Sequence, residues 1–227
     1  MKQQFSVFHD LDKDTLREWH IPYAALFKRA SKVVDLGCGT GIFMNLLGEA
    51  GVQCIGLDID ASLIEQLKAS GHSVFHAKHS DLYTYAQGCD GIHISHVIEH
   101  LWGDEMKTLL DDCVTSLGPN GLLVIRTPNW SNKHVYGGGF WDDYTHKRPY
   151  SLRQLERMLV DMGMKITASG HEPFGWEDTF IIARKEPIVL SDPQQDHPIW
   201  PPSRLQHEDS SLKSKIRRKL KSLLTGE

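Results

Sequence analysis

A chain of 227 residues, 40% hydrophobic and 24% charged, has the composition of a soluble globular protein and enough length to bury one full core. Its formal net charge of −4 gives no general pull toward nucleic acid, so DNA is not expected as a partner. The four cysteines, Cys38, Cys54, Cys89 and Cys113, include no C-x-x-C pair, and no apolar run is long enough to span a bilayer, which argues against disulfides, zinc and membrane insertion and for reduced thiols in the cytoplasm.

With Asp10, Asp12 and Asp14 so early, no signal peptide is expected. Residues 1–31 read as an N-terminal helical cap, in which Leu16 to Lys32 carry Trp19, Ile21, Tyr23, Leu26 and Phe27 around Pro22 and predict one or two short helices. Val33 to Leu36 is a β-branched apolar run that predicts a buried strand. It ends in Asp35-Leu36-Gly37-Cys38-Gly39-Thr40-Gly41, where glycines at every second position let the chain turn tightly and lie against a ligand. A helix over Ile42 to Ala50 then points its N-terminus at the same spot.

The spacing is D-x-G-x-G-x-G rather than the G-x-G-x-x-G of dinucleotide-binding loops. It resembles the first motif of the class I S-adenosylmethionine-dependent methyltransferases; the alternative is an ordinary glycine-rich strand-to-helix turn. The resemblance implies that Asp35, Gly37, Cys38, Gly39 and Gly41 support the methionine part of S-adenosylmethionine, and that the N-terminal helices close over it or cover the sheet edge.

Val52 to Asp58 is a second apolar strand ending in an acid, and Asp58 lies where a βαβ unit places a carboxylate on ribose hydroxyls, with Ile59 beside it. A carboxylate accepts two hydrogen bonds from a vicinal diol. Asp60 reads as the N-cap of a helix over Ala61 to Ser70. Ser73 to Ala77 predicts the third strand, and the resemblance places Asp81 and Leu82 at the adenine. Asp90 to His96 predicts the fourth strand and Asp104 to Leu117 a helix with Leu109, Leu110, Cys113 and Leu117 on its apolar side. Gly118-Pro119-Asn120-Gly121 reads as a turn before a fifth strand over Leu122 to Arg126. Ser151 caps a helix to about Met162, and Lys165 to Ser169 and Thr179 to Arg184 predict a terminal antiparallel pair. Strands alternating with helices give an α/β, doubly wound, mostly parallel sheet, and the resemblance sets it at seven strands with an antiparallel final strand, over a domain of residues 32–185.

Methyl transfer from a sulfonium is an in-line displacement, so alignment matters more than a protein nucleophile. A hydroxyl acceptor gains from a nearby base or metal ion. His96, Glu99 and His100 fall at i, i+3 and i+4 after the fourth strand and share one face of any helical turn. They resemble the E-x-x-E-H sequence that holds a divalent ion in ubiquinone-pathway O-methyltransferases, with His96 in place of the first glutamate. The candidate roles are a catalytic base drawn from Glu99, His100 and His146, a divalent cation such as magnesium held by His96, Glu99, His100 and His146, or packing near the cofactor, where His96 would contact the donor.

The segment from Thr127 to Ser151 is too long for a simple connection and carries Trp130, three glycines, Trp141, Asp143, Tyr144, Thr145, His146 and Arg148, the chemistry of an acceptor lid. Its Asp-x-Thr-His-x-Arg-Pro-Tyr-Ser run resembles bacterial methyltransferases of polysaccharide and lipopolysaccharide pathways; Thr145 and His146 bracing the next helix is the alternative. A small-molecule or glycan hydroxyl, a sugar or glycan precursor before a quinone-like phenol, is therefore the expected acceptor. Prolines at 187, 193, 198, 201 and 202 predict a linker or arm over 186–210. Leu212, Ile216, Leu220 and Leu223 then stripe a basic helix over 211–227 that would lie on the inner face of the membrane, pack in a homodimer or stay solvated. A cofactor-binding partner of a glycan-assembly complex, without catalysis, is the reading from another class.

Overall fold

The computed structural model describes residues 12–175 and 177–186. The arm expected beyond Glu186 and the basic helix expected over 211–227 lie outside the described residues. The elements in chain order are α1 (Lys13–Leu26), β1 (Lys32–Leu36), α2 (Ile42–Glu49), β2 (Gln53–Asp58), α3 (Ala61–Ala69), β3 (Val74–His76), α4 (Leu82–Ala86), β4 (Cys89–Ser95), α5 (Gly103–Ser116), β5 (Leu117–Thr127), α6 (Leu152–Asp161), β6 (Met164–His171) and β7 (Thr179–Lys185).

Successive side chains of a strand point to opposite faces, and the apolar runs of β1, β4 and β5 therefore feed two layers at once. Val34, Leu36, Ile92, Ile94, Leu123 and Ile125 pack with α5 and α6 on one face. Val33, Leu122 and Val124 pack with Tyr23, Ala24 and Phe27 around α1 and with Phe43, Leu46 and Leu47 of α2 on the other. The seven strands run in the order β3-β2-β1-β4-β5-β7-β6, with β1 to β5 parallel and β7 antiparallel to both β5 and β6. This is the doubly wound sheet expected. From β1 the chain winds to β2 on one side and returns to β4 on the other, so the connections part there and leave a crevice at the carboxyl ends of β1 and β4.

Local signals account for most boundaries. The Asp60 carboxylate accepts from the amides of Ser62 and Leu63 to start α3, and the Ser151 hydroxyl accepts from Gln154 to start α6, both as expected. Two boundaries differ. The N-terminal segment, expected as one or two helices within Leu16 to Lys32, is a single helix that starts earlier, at Lys13, and continues through Pro22. The fifth strand begins at Leu117, not Leu122, because Leu117 already pairs with Cys89, and the expected turn at Gly118 to Gly121 sits as an irregularity inside the ladder. The four thiols are free, and burial pushes each of them up, Cys89 to about 11.

Gly91 of β4 faces the buried ring of Phe27, which follows α1, and a Cβ there would run into that ring. Gly91→Ala is therefore expected to lower the unfolding free energy by about 1–3 kcal/mol, read as a lower denaturant midpoint at unchanged slope. A wild-type midpoint would contradict this packing of α1 on the sheet.

Candidate active site

A cavity of about 1460 Å³ opens over the crevice, lined by the glycine loop, the ends of β2 and β4, the 127–147 segment, α1 and the residues before β7. Gly37, Gly39 and Gly41 all have positive φ, the left-handed region that glycine enters at least cost. At Gly37 a Cβ would also strike Val97 behind the loop. The glycines thus answer first to the backbone turn and its packing, and not only to a ligand.

The Asp58 carboxylate fixes this turn. Its Oδ2 accepts from the Gly39 amide at 2.8 Å and its Oδ1 from the Asp60 amide at 2.8 Å. Burial raises its pKa, and those two amides oppose the rise. Each oxygen keeps a lone pair for a ligand hydroxyl. Of the residues expected at the cofactor, Gly37, Cys38, Gly39, Asp58, Ile59 and His96 line the cavity.

Four candidates for the cofactor are not among the lining residues. Asp35 is buried and meets His93 Nδ1 at 2.7 Å, a ring stacked on Phe43, so its carboxylate serves the interior beneath the loop. Gly41 starts α2 against Leu67. Asp81 turns back to accept from the Lys78 amide at 2.8 Å, and Leu82 is wholly in the core. Ala77, Lys78 and His79 line the cavity instead.

Beneath the other half lies a chain of buried charges. Arg126, 1% exposed, donates Nε and one terminal nitrogen to Glu172 at 2.6 and 3.0 Å, and reaches Asp178 at 3.4 Å and Ser95 at 3.1 Å. The Tyr23 hydroxyl donates to Glu172 at 2.5 Å. His96 stands at positive φ with Nε2 2.8 Å from Asp178 and Nδ1 3.1 Å from Glu99 Oε1. Burial alone would lower the His96 imidazole, but Asp178 and Glu99 outweigh it and push it up to about 9. Glu99 Oε2 accepts from Thr127 at 3.0 Å, and Glu99 is held below the usual carboxylate range against its burial by His96.

The expected set of four metal ligands is therefore reduced. A charged imidazole with both nitrogens on carboxylates does not ligate an ion. His96 leaves the set, while Glu99, His100 and His146 bring one donor each within 4.8 Å of one another. Two imidazoles and one carboxylate do not fit magnesium, which takes oxygen ligands, and suit a transition ion.

His146 reaches His100 because the lid is laced to the turn that holds His100. The amides of Lys147 and Arg148 both donate to the Glu99 carbonyl, and the Tyr150 hydroxyl donates to Leu101. The two imidazoles stand 4.7 Å apart between centroids. His146 Nδ1 meets the Phe140 carbonyl at 2.6 Å, so that nitrogen carries a proton and directs Nε2 away from this contact. Burial lowers the His100 pKa. Trp141 and Tyr144 of the lid are exposed, while Phe140 and Tyr150 are buried supports.

Arg126, Glu172 and Asp178 escaped the sequence reading. Arg126 had a signal, since a cation in register with Leu122 to Ile125 on a core strand must find buried partners; Glu172 and Asp178 had none.

Residues 7–169 match the model of a methyltransferase domain family. A probable S-adenosylmethionine-dependent methyltransferase of Mycobacterium tuberculosis is 26% identical over 160 residues, 68% of this chain and 57% of the relative. A ubiquinone biosynthesis O-methyltransferase of Bradyrhizobium diazoefficiens is 30% identical over 173 residues, 70% of this chain and 62% of the relative. The matches thus span less than two thirds of these relatives' length. The fold is that of an S-adenosylmethionine-dependent methyltransferase from Archaeoglobus fulgidus, with a TM-score of 0.68 at 24% identity over 77% of this chain and 95% of that one.

The raised His96 pKa has a consequence for stability. Its stabilising charge is fully present below the unfolded value of 6.5 and is lost as pH rises through about 9. The stability advantage of the wild type over His96→Gln, measured by urea unfolding, is expected to shrink between pH 6.5 and 9; a pH-independent difference would contradict a charged His96.

Proposed function

The chain belongs to the methyltransferase domain family with the class I S-adenosylmethionine-dependent fold, and from this we propose that it transfers a methyl group from S-adenosylmethionine to a hydroxyl of a sugar or glycan precursor. The observation that carries the hydroxyl is the facing pair His100 and His146, two imidazoles that offer acceptor nitrogens where a proton must go. When bound, the donor supplies an electrophilic methyl group on a cationic sulfur. Asp58 would hold its ribose hydroxyls over the glycine loop. The buried chain of three carboxylates and two cations leaves one net negative charge beneath the cavity, which favours a cationic donor over the neutral thioether product. His100 would take the acceptor hydroxyl's proton as the oxygen bonds the methyl carbon and the sulfur leaves with the electrons of its broken bond to carbon.

The ubiquinone-pathway relatives favour a quinone-like phenol as the second acceptor class. A transition ion on Glu99, His100 and His146 would lower the acceptor's pKa in either case. Peripheral membrane or homodimer contact through residues 211–227 would suit an enzyme with a lipid-linked acceptor; no helix among the described residues is long and apolar enough to cross a membrane.

In thermal-shift assays S-adenosylhomocysteine is expected to stabilise the wild type and His100→Ala but not Asp58→Ala. On a panel of nucleotide sugars and hydroxylated aromatics, His100→Ala should lower kcat by about 10²–10⁴. Equal cofactor binding by Asp58→Ala would refute the ribose assignment, and cofactor binding without turnover on any acceptor would favour a non-catalytic partner.

A further inference from the structure

We propose that Thr145 and Asp143 are positioning residues that fix the tautomer of His100, so that its Nδ1 carries the proton and its Nε2 faces the acceptor as a lone pair. The proposal deepens the reading of His100 as the proton acceptor. The argument is one of donor count. A threonine hydroxyl has one hydrogen and two lone pairs, and a carboxylate has no hydrogen to give. The Thr145 Oγ1 lies 2.5 Å from Asp143 Oδ1 and 2.9 Å from His100 Nδ1. Its single hydrogen goes to Asp143, so toward His100 it can only accept. His100 Nδ1 must then donate, and the neutral ring has its lone pair on Nε2.

The same Asp143 oxygen also accepts from the Thr145 amide at 2.8 Å, which orients the carboxylate without help from the ring. The amides of Lys147 and Arg148, two and three residues on, are tied to the Glu99 carbonyl, next to His100 in the chain. Thr145 and the ring are thus joined twice, once through the backbone and once through the side chains. With the hydroxyl removed, the Nε2–H tautomer becomes available, and a ring in that state offers the acceptor a donor instead of a lone pair. His146 provides an internal control, because its Nδ1 is fixed by the Phe140 carbonyl and not by Thr145. A base and a metal ligand both need Nε2 free, so the device serves either.

The test is the histidine ¹⁵N spectrum of the full chain saturated with S-adenosylhomocysteine, at one pH where the His100 ring is neutral, together with steady-state kinetics. The wild type is expected to show the Nδ1–H tautomer at His100. Thr145→Val should populate the Nε2–H tautomer at His100, leave His146 unchanged, leave the Kd for S-adenosylhomocysteine unchanged and lower kcat by about 10- to 100-fold. Thr145→Ser should restore tautomer and kcat. Should the valine variant not fold, Asp143→Asn removes the obligation on the hydroxyl to donate and should give both tautomers. An Nε2–H tautomer in the wild type, or an Nδ1–H tautomer that survives both Thr145→Val and Asp143→Asn, would overturn the proposal. Turnover retained in His100→Ala, with a tautomer that still follows Thr145, would remove the base reading and uphold the positioning.

Discussion

Arg126 is a guanidinium placed in the middle of a protein, and most of the site follows from what that placement requires. An uncompensated buried charge costs several kcal/mol, so β5 can carry an arginine beside its apolar run only if carboxylates meet it. Glu172 and Asp178 come from the connection between β6 and β7, at the far end of the chain from Tyr23, which closes the same pair. Asp178 then holds His96, and His96 faces Glu99. Elements from α1 to β7 are thereby joined through ionic contacts that tolerate little displacement, and the turn at Glu99, the base of the acceptor half, is fixed as a result. Removing one member strands its partner, and the expected cost is about 3–5 kcal/mol.

The two ends of the cavity have their own hydrogen-bonded braces and share one turn, that of Val97 to His100. At the glycine-loop end Asp58 braces the loop through Gly39, and the loop leans on Val97. At the other end the 127–147 segment is hydrogen-bonded to the Glu99 turn, and Thr145 links Asp143 to His100. The 127–147 segment is thus a loop carried by a rigid sheet.

Sequence signals were strong where chemistry is local. The alternation of Val33 and Val34 predicts two faces, Asp60 and Ser151 are caps read from residue type, and the D-x-G-x-G-x-G spacing marks the loop before any fold is known. The signal weakened with sequence separation. Asp35 looks like a ligand residue because it precedes the loop, but its partner is His93, on the neighbouring strand and 58 residues away. Asp81 was placed by analogy, whereas the local Lys78 amide claims its carboxylate. His96 stands at helical spacing from Glu99 and His100, yet its positive φ and the distant Asp178 turn it into a charged strut. For Asp35 and His96 the competing partners lie 58 and 82 residues away, outside any local pattern, whereas for Asp81 the competitor is the amide three residues earlier.

On the proposed function, one cavity holds a methyl donor over Asp58 and presents the transferable group to His100 and His146. A crystal structure of the complex with S-adenosylhomocysteine tests it most directly. The ribose hydroxyls should lie on the Asp58 carboxylate, with the sulfur directed toward the space between the two imidazoles. A cofactor whose ribose lies away from Asp58, or whose sulfur faces away from His100 and His146, would contradict the account.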